Sequence, residues 1–334
     1  MSGDRYSRQV LFSGIGEAGQ RKIGAAHAVI VGCGAIGGAS AERLARAGVG
    51  RLTLIDRDFI ELSNLQRQSL FTEEDARQRM PKAVAAQRRL RQINSEIVIE
   101  PRVGDVTART IGRLVGRPDV VVDGADNFET RFLLNDYCVR EGVPWVYGGA
   151  VAGEGRAMAI VPGRTACLRC AMEEPPAAGR LATCDQVGIL GAATGAVGAL
   201  QSAAALRILT GDAPAESRLI ILDVWTGEAR SVALSRRADC AACGKREFAF
   251  LNGAAMSAST VLCGRNMVQI TPATETKLDL QALAAKSKEG TCNGFLLTVK
   301  EGDLEMTVFP DGRALIRGTQ DEAAARAMYA RVLG

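Results

Sequence analysis

Hydrophobic and polar positions switch repeatedly between two periods along the first half of the chain. A helical-period stretch at residues 17–26 leads into Ala28-Val29-Ile30-Val31. That run is too brief for a helix and β-branched enough for a strand buried on both faces. It ends in Gly32-Cys33-Gly34-Ala35-Ile36-Gly37-Gly38, followed by a helical segment over 39–47 that stops at Gly48-Val49-Gly50. A second strand, 52–55, ends at Asp56. Pro81 opens a helix to about residue 93, at a favourable first-turn position. A third apolar run, Val120 to Val122, ends in Asp123-Gly124-Ala125-Asp126-Asn127, and a helix over 129–140 and a strand over 145–148 follow. This steady alternation, to about residue 165, predicts an α/β fold with a doubly wound, mostly parallel, Rossmann-like sheet. Antiparallel segments are expected later, at 156–161 and 219–234.

The pattern changes after Gly244. Residues 250–334 read as a strand near 267–270, a helix over 278–287, three short strands at 295–299, 304–309 and 314–318, and a helix over 321–333. Glu301-Gly302-Asp303 and Pro310-Asp311-Gly312 supply turns between them. Two domains are expected, 1–247 and a small α+β domain at 248–334. No internal repeat or low-complexity segment interrupts them. Residues 189–206 carry no charge, but they are mostly Ala and Gly, with Thr194, Gln201 and Ser202 among them. A membrane span needs about twenty strongly apolar residues; a closely packed core helix is expected instead.

Composition narrows the chemistry. The chain of 334 residues is 47% hydrophobic and 23% charged, ordinary for a globular protein. A net charge of +4 with no basic run gives nucleic acid no footprint. The single histidine, His27, disfavours His-ligated catalytic metals and a Ser-His-Asp triad, and its place before an apolar strand suits a structural role. Nine cysteines are too unevenly spaced for a disulfide scaffold. With no basic-then-apolar leader at the N-terminus, a cytoplasmic protein with reduced thiols is expected, and no membrane partner.

The candidate chemistry begins at the glycine loop. Gly32, Gly34 and Gly37 allow a tight turn and close approach of phosphate to helix amides, and Asp56, nineteen residues beyond Gly37, suits a ribose hydroxyl. Alone this fits a nicotinamide cofactor. Ser63-Asn64-Leu65-Gln66-Arg67-Gln68 and Lys82 alter the reading, because a forked guanidinium and a point-charge ammonium suit a triphosphate. Asp126-Asn127 stands at a strand's carboxyl end, where open α/β sheets bind ligands, and a carboxylate there suits Mg²⁺. Cys167-Leu168-Arg169-Cys170 and Cys240-Ala241-Ala242-Cys243 are two CxxC pairs. Either alone fits a redox motif, and the second a disulfide. Together, with no spare histidine, they predict a closed, structural Zn²⁺ site. Cys33 and Cys138 fit apolar packing, Cys184 lies in a polar loop that suits an exposed thiolate, and Cys263 and Cys292 fall in the small domain.

Taken together, residues 4–244 resemble the ThiF/MoeB/HesA family of bacterial ubiquitin-activating-enzyme-like adenylyltransferases. Arg5-Tyr6-Ser7-Arg8-Gln9 is similar to that family's N-terminal signature, and the glycine loop, Asp56, 63–68, Lys82, Asp126-Asn127 and both CxxC pairs follow in family order. The resemblance implies ATP-dependent adenylation of the C-terminal glycine of a ubiquitin-like sulfur-carrier protein, in thiamine- or molybdopterin-type pathways. By position, Asp56 would bind the ribose of ATP, Asn64, Arg67 and Lys82 its phosphates, and Asp126 the magnesium. Gly32, Gly34, Ala35, Gly37, Ser63 and Asn127 would complete the ATP site. Arg8 would enter the partner protomer's site, which implies a homodimer. Cys184 aligns with a loop cysteine that some members charge as an acyl-persulfide or thioester.

The last 85 residues depart from the family pattern. They show no rhodanese-like cysteine loop, Leu262-Cys263-Gly264-Arg265-Asn266 being the one suggestive cluster, and no terminal Gly-Gly. They would dock the carrier or a sulfur donor, or stabilise a dimer. Three alternatives stay open: adenylation of another carboxylate or peptide, a nicotinamide-dependent oxidoreductase, and a non-catalytic zinc-containing nucleotide sensor.

Overall fold

The computed structural model describes residues 5–176, 184–253, 259–262, 266–272, 276–287 and 289–333; for 184–185 and 259–262 it describes the backbone alone. The chain forms two compact units, Met1–Ala255 and Met256–Gly334.

The first unit is built on eight strands: β1 (His27–Val31), β2 (Arg51–Asp56), β3 (Val98–Val103), β4 (Val120–Asp123), β5 (Trp145–Val151), β6 (Glu154–Ile160), β7 (Ser217–Asp223) and β8 (Glu228–Leu234). They lie in the order β3-β2-β1-β4-β5-β6-β7-β8. Pairings from β3 through β5 are parallel, and those from β5 through β8 antiparallel. Strands β1 and β4 are buried almost throughout, which explains their unbroken Val and Ile runs. Strand β3, with Glu100, Pro101 and Arg102, has no such run. As the sheet's edge it tolerates a proline and charges, and this hides it from a periodicity search.

Sheet order reverses between β1 and β4, opening a crevice at their carboxyl ends. The glycine loop lies there. Its helix spans Ala35–Ala47, four residues longer than the pattern predicts, because Gly37 and Gly38 lie inside its first turn despite poor propensity. Packing overrides propensity. A Cβ on Gly37 would overlap the Gly32 carbonyl, and one on Gly32 the Gly124 backbone.

Helix Gly191–Thr210 is, among the described residues, the one long and apolar enough to cross a membrane. In this fold it packs in the core against helix Ala35–Ala47. A Cβ on Gly198 would press on Ala39. Ser40 Oγ donates to Gln201 Oε1 at 2.8 Å, and Gln201 Nε2 donates to the carbonyls of Asp123 (2.7 Å) and Val146 (3.1 Å). The polar residues in the uncharged stretch therefore bolt the helix to the sheet.

Residues 248–251 belong to this unit's core. Phe248, Phe250 and Leu251 pack with Phe132, Trp145 and the buried cysteines, and Phe250 N donates to Asp136 Oδ2 at 3.0 Å. The second unit is a six-stranded antiparallel sheet of β9 (Ser259–Leu262), β10 (Met267–Ile270), β11 (Gly290–Cys292), β12 (Leu297–Glu301), β13 (Leu304–Val308) and β14 (Ala314–Arg317). Its order is β11-β12-β13-β14-β10-β9. Helices Leu280–Lys286 and Glu322–Leu333 complete it, with Leu280, Ala325 and Met328 packed on Val268, Leu297, Val299, Met306, Val308 and Ile316. This is the expected α+β arrangement, with the short edge strands β9 and β11 added.

Candidate active site and cysteine cluster

The crevice is lined first by backbone. Gly34, with φ −72° and ψ −144°, precedes a helix whose early amides face the opening. Unlike Gly32 and Gly37, Gly34 is not there for packing. The nearest atom to a Cβ placed on it is Gln68 Nε2, at 3.6 Å. Removing that side chain leaves room for an anion to reach the helix amides.

Asp56 ends β2 with its side chain buried. Its Oδ2 accepts from Cys33 N at 2.6 Å and its Oδ1 from Asp58 N at 2.8 Å. The carboxylate therefore holds the glycine loop in shape while keeping lone pairs for a hydroxyl. Burial pushes the Asp56 carboxyl above its usual range, and Lys82 opposes this. Lys82 is buried at the start of helix Lys82–Ile93, its Nζ 3.4 Å from Asp58 Oδ2. Pro81 is the residue just outside this helix rather than within its first turn. Arg57 joins the same array, with Nη1 3.3 Å from Asp105 Oδ1 and Nε 3.9 Å from Asp58 Oδ1. Burial opposes its charge, but Asp105, Asp58 and Asp126 prevail and hold the guanidinium firmly ionised.

Residues 63–68 form the next wall. Asn64 is buried, its Oδ1 accepting from Glu61 N at 3.2 Å in a capping box around the turn Leu62–Asn64. Ser63 is exposed, and its carbonyl accepts from Arg67 Nη1 at 2.9 Å. A Cβ on Gly191 would press on Gln66 O and Arg67 Cα, so this wall abuts the start of helix Gly191–Thr210. Across the crevice Asp126 is exposed, and Asn127 caps helix Phe128–Glu141 by accepting from Thr130 N at 2.8 Å.

The fold thus brings Gly32 to Gly37, Asp56, 63–68, Lys82 and Asp126-Asn127 to one carboxyl edge. Arg8 is not among them. It is exposed on the turn Ser7–Val10, where Gln9 Nε2 donates to Ala47 O at 2.9 Å. Arg8 therefore sits by the far end of the 13-residue glycine-loop helix, roughly 20 Å of helix from the crevice.

Sequence reasoning passed over the supports beneath this edge. Asp123 is fully buried and accepts from Ala125 N (2.9 Å) and Gly148 N (3.3 Å), with Arg131 Nε 3.3 Å from its Oδ2. Burial raises its carboxyl pKa while Arg131 opposes the shift. Arg131 also donates to Ala125 O at 2.8 Å, which braces the turn that carries Asp126. No motif marks such pairs, since each looks like a surface residue until the fold buries it.

At the other end of the sheet, Cys167, Cys170, Cys240 and Cys243 place four sulfurs within 4.8 Å of one another. The sulfur separations are 3.6 Å for Cys167–Cys240, 3.4 Å for Cys170–Cys243 and 4.0 Å for Cys167–Cys170. A tetrahedron with metal–sulfur bonds of about 2.3 Å has edges near 3.8 Å, so the set fits zinc. The Cys240 knuckle is closed by Gly244 N (2.9 Å) and Lys245 N (2.8 Å) donating to Cys240 O. Cys33 and Cys138 are buried as packing residues, and burial raises both thiols. His27 pairs its Nε2 with Thr53 Oγ1 at 2.9 Å, a structural contact between β1 and β2. Cys184 starts the helical turn Cys184–Val187, and its side chain lies outside the described residues, as does all of Cys263.

An order-reversing parallel sheet, an open glycine loop and cations along one edge define a nucleotide-binding α/β protein with a separate four-thiol centre. The chain belongs to the ThiF family, which it matches over residues 6–242. It is 46% identical to the sulfur carrier protein ThiS adenylyltransferase of Bacillus subtilis, over 99% of both chains. It is 35% identical to the sulfur carrier protein adenylyltransferase of Thermus thermophilus, over 72% of this chain and 90% of that one. Among solved structures, E. coli MccB with ATP superposes with a TM-score of 0.65 at 28% identity, covering 73% of this chain and 75% of that one. The protein is an adenylyltransferase.

Proposed function

We propose that this adenylyltransferase uses ATP to activate the C-terminal glycine of a ubiquitin-like sulfur-carrier protein. The carrier carboxylate attacks the α-phosphorus of ATP, an acyl–phosphate bond forms, and pyrophosphate leaves with the electron pair of the broken P–O bond. The nucleophile is already ionised, so the step needs no general base, which suits a chain with one structural histidine. The obstacle is repulsion between carboxylate and triphosphate, and preorganised cations lower it. Asp56 binds the ribose. Ser63, Asn64, Arg67 and Lys82 hold the phosphates, with the amides after Gly34 as further donors. Asp126, exposed and braced from below, would hold Mg²⁺ beside Asn127, and that ion would neutralise phosphate charge. Arg8 completes the site from a partner protomer, a reading supported by its distance from the crevice of its own chain. The four cysteines bind zinc structurally, consistent with the reducing cytoplasm. Cys184 attacks the acyl-adenylate in a second step, forming a thioester as AMP leaves.

The observation that carries the protein-substrate reading is an apolar surface running from the phosphate wall. Leu190, 37% exposed, adjoins Gly191 at the Arg67 wall, and its amide donates to Ala152 O at 2.9 Å. Val187 is 51% exposed and Trp225 83%, the latter's Cβ lying 3.4 Å from where a Cβ on Gly153 would stand. A small metabolite has no use for such a surface; the body of a small protein whose tail enters the crevice does. ATP–pyrophosphate exchange tests the reading. It is expected only with carriers ending in Gly-Gly, and is lost when the last glycine is removed. Exchange indifferent to that glycine would refute it.

A further inference from the structure

The edge of the first unit's sheet opposite the crevice carries a second concavity. Strand β6 runs antiparallel to β5, so its last residue, Ile160, pairs with Trp145 at the amino end of β5. The chain leaving β6 therefore turns at the amino edge of the parallel strands. Ser217 opens β7 at the same edge, paired with Leu234, the last residue of β8. Residues 164–166, 215–217 and 233–236 enclose a groove of about 340 Å³ there, within the range of small-molecule sites. Two buried hydroxyls line it and are held by backbone. Thr165 Oγ1 accepts from Val161 N at 2.8 Å, and Ser217 Oγ donates to Ala166 O at 3.1 Å.

The open side is cationic. Arg236 is anchored, with Nη2 donating to Cys243 O at 2.7 Å and Nη1 to Gly163 O at 3.4 Å. A guanidinium has more N–H donors than those two bonds use. The second bond also brings it to the carbonyl next to Arg164, which is exposed and has no side-chain partner among the described residues. Glu216 is the one carboxylate among the lining residues, and it lies 3.7 Å from Arg218, so its charge is already offset. Two guanidinium groups at one opening repel each other, and an oxyanion between them turns that repulsion into attraction.

We infer that this groove is a second ligand site, separate from the crevice, for a small phosphate, either the free ion or a monoester. Arg164 supplies a free fork of parallel donors that matches phosphate oxygens, and Arg236 supplies the N–H groups its two carbonyls leave unused. A volume of about 340 Å³ leaves room beyond the phosphate ion itself, which admits the organic part of a monoester. Because Arg236 also holds the carbonyl of Cys243, an occupant is linked directly to the second cysteine knuckle.

The test must exclude phosphate bound in the crevice, so Arg67→Ala serves as the background. Calorimetric titrations at constant ionic strength use inorganic phosphate, glycerol 3-phosphate and, as a control anion, acetate. Saturable binding of phosphate should persist in Arg67→Ala. Adding Arg164→Gln should weaken it about tenfold, the loss expected for a hydrogen bond to a charged group. Adding Ser235→Asp instead places a carboxylate in the lining and should weaken it by at least as much. Both positions are exposed, so Tm without ligand should stay at the background value. Tighter binding of the monoester identifies it as the source of the phosphate group, and equal binding identifies the free ion. Absence of saturable binding in Arg67→Ala overturns the inference, as does unchanged affinity in Arg164→Gln or acetate binding as well as phosphate. Arg164→Gln alone should keep wild-type pyrophosphate exchange, so the groove and the adenylation reading fail or stand separately.

Discussion

The two halves of the eight-stranded sheet are held by different forces. From β3 to β5 the strands are parallel, and helices bury their apolar runs. The carboxyl edge is free to carry charge because the hydrophobic interior below it is closed. From β6 to β8 the sheet turns antiparallel and loses cover: β7 is mostly half-buried, and β8 is exposed along nearly its whole length. Burial alone gives that half little stability. The four cysteines bring the segments before β7 and after β8 to one point in the core beside Phe132 and Trp145, where a metal ion would tie them together. One half is therefore stabilised by packing and specialised at its edge, while the other has a four-cysteine cluster whose spacing suits a metal clip.

The largest test of this contrast is loss of the clip. Cys240→Ser, or a strong chelator, should remove on the order of 10 kcal/mol from the antiparallel half. Calorimetry should then show a low-temperature transition for that half ahead of the rest. A single transition at the wild-type Tm would mean that the two halves are not held differently. The matching disruption in the parallel half is smaller. Gly37→Ala places a Cβ against the Gly32 carbonyl. It should cost about 3 kcal/mol by overpacking and displace the glycine loop. ATP binding should fall sharply while zinc content, read by metal analysis, stays at the wild-type value.

The smallest effect lies where the tail of the clip meets the parallel half. Asp136 accepts from Phe250 N, and burial pushes its carboxyl up to about 6. A folded-state pKa above the unfolded value means that this group's contribution is complete below about pH 4 and is lost as pH rises to about 6. Asp136→Asn keeps an acceptor for Phe250 and removes the titration. Relative to wild type, its stability in urea should therefore rise by roughly 2 kcal/mol between pH 4 and pH 7. A pH-independent difference between the two proteins would show that Asp136 is already ionised at no cost.

Legibility in the sequence follows the same division. Strands β1, β2 and β4 are readable because burial on both faces demands continuous apolar runs, and the glycine loop is readable because close backbone approach excludes side chains. The cysteine pairs are readable because the CxxC spacing is local and brings two sulfurs together within one turn. Strands β3, β9 and β11 are not, being short or at an edge where polar residues are tolerated. The start of the glycine-loop helix is misjudged for a related reason: Gly37 and Gly38 look like a turn until Gly32 and Gly124 crowd them into a helix.

Residue type and spacing by themselves determined the fold class, the glycine-loop edge and the two cysteine pairs, because each follows from forces acting over a few neighbouring positions. Tertiary structure decided the rest. It buried Asp123 with Arg131, paired the half-buried Arg57 with Asp105, and brought two distant CxxC pairs together at one point. It also set Arg8 at the far end of the helix it precedes in sequence. Those outcomes depend on groups far apart along the chain sharing one low-dielectric space, and no local pattern records which groups will meet there.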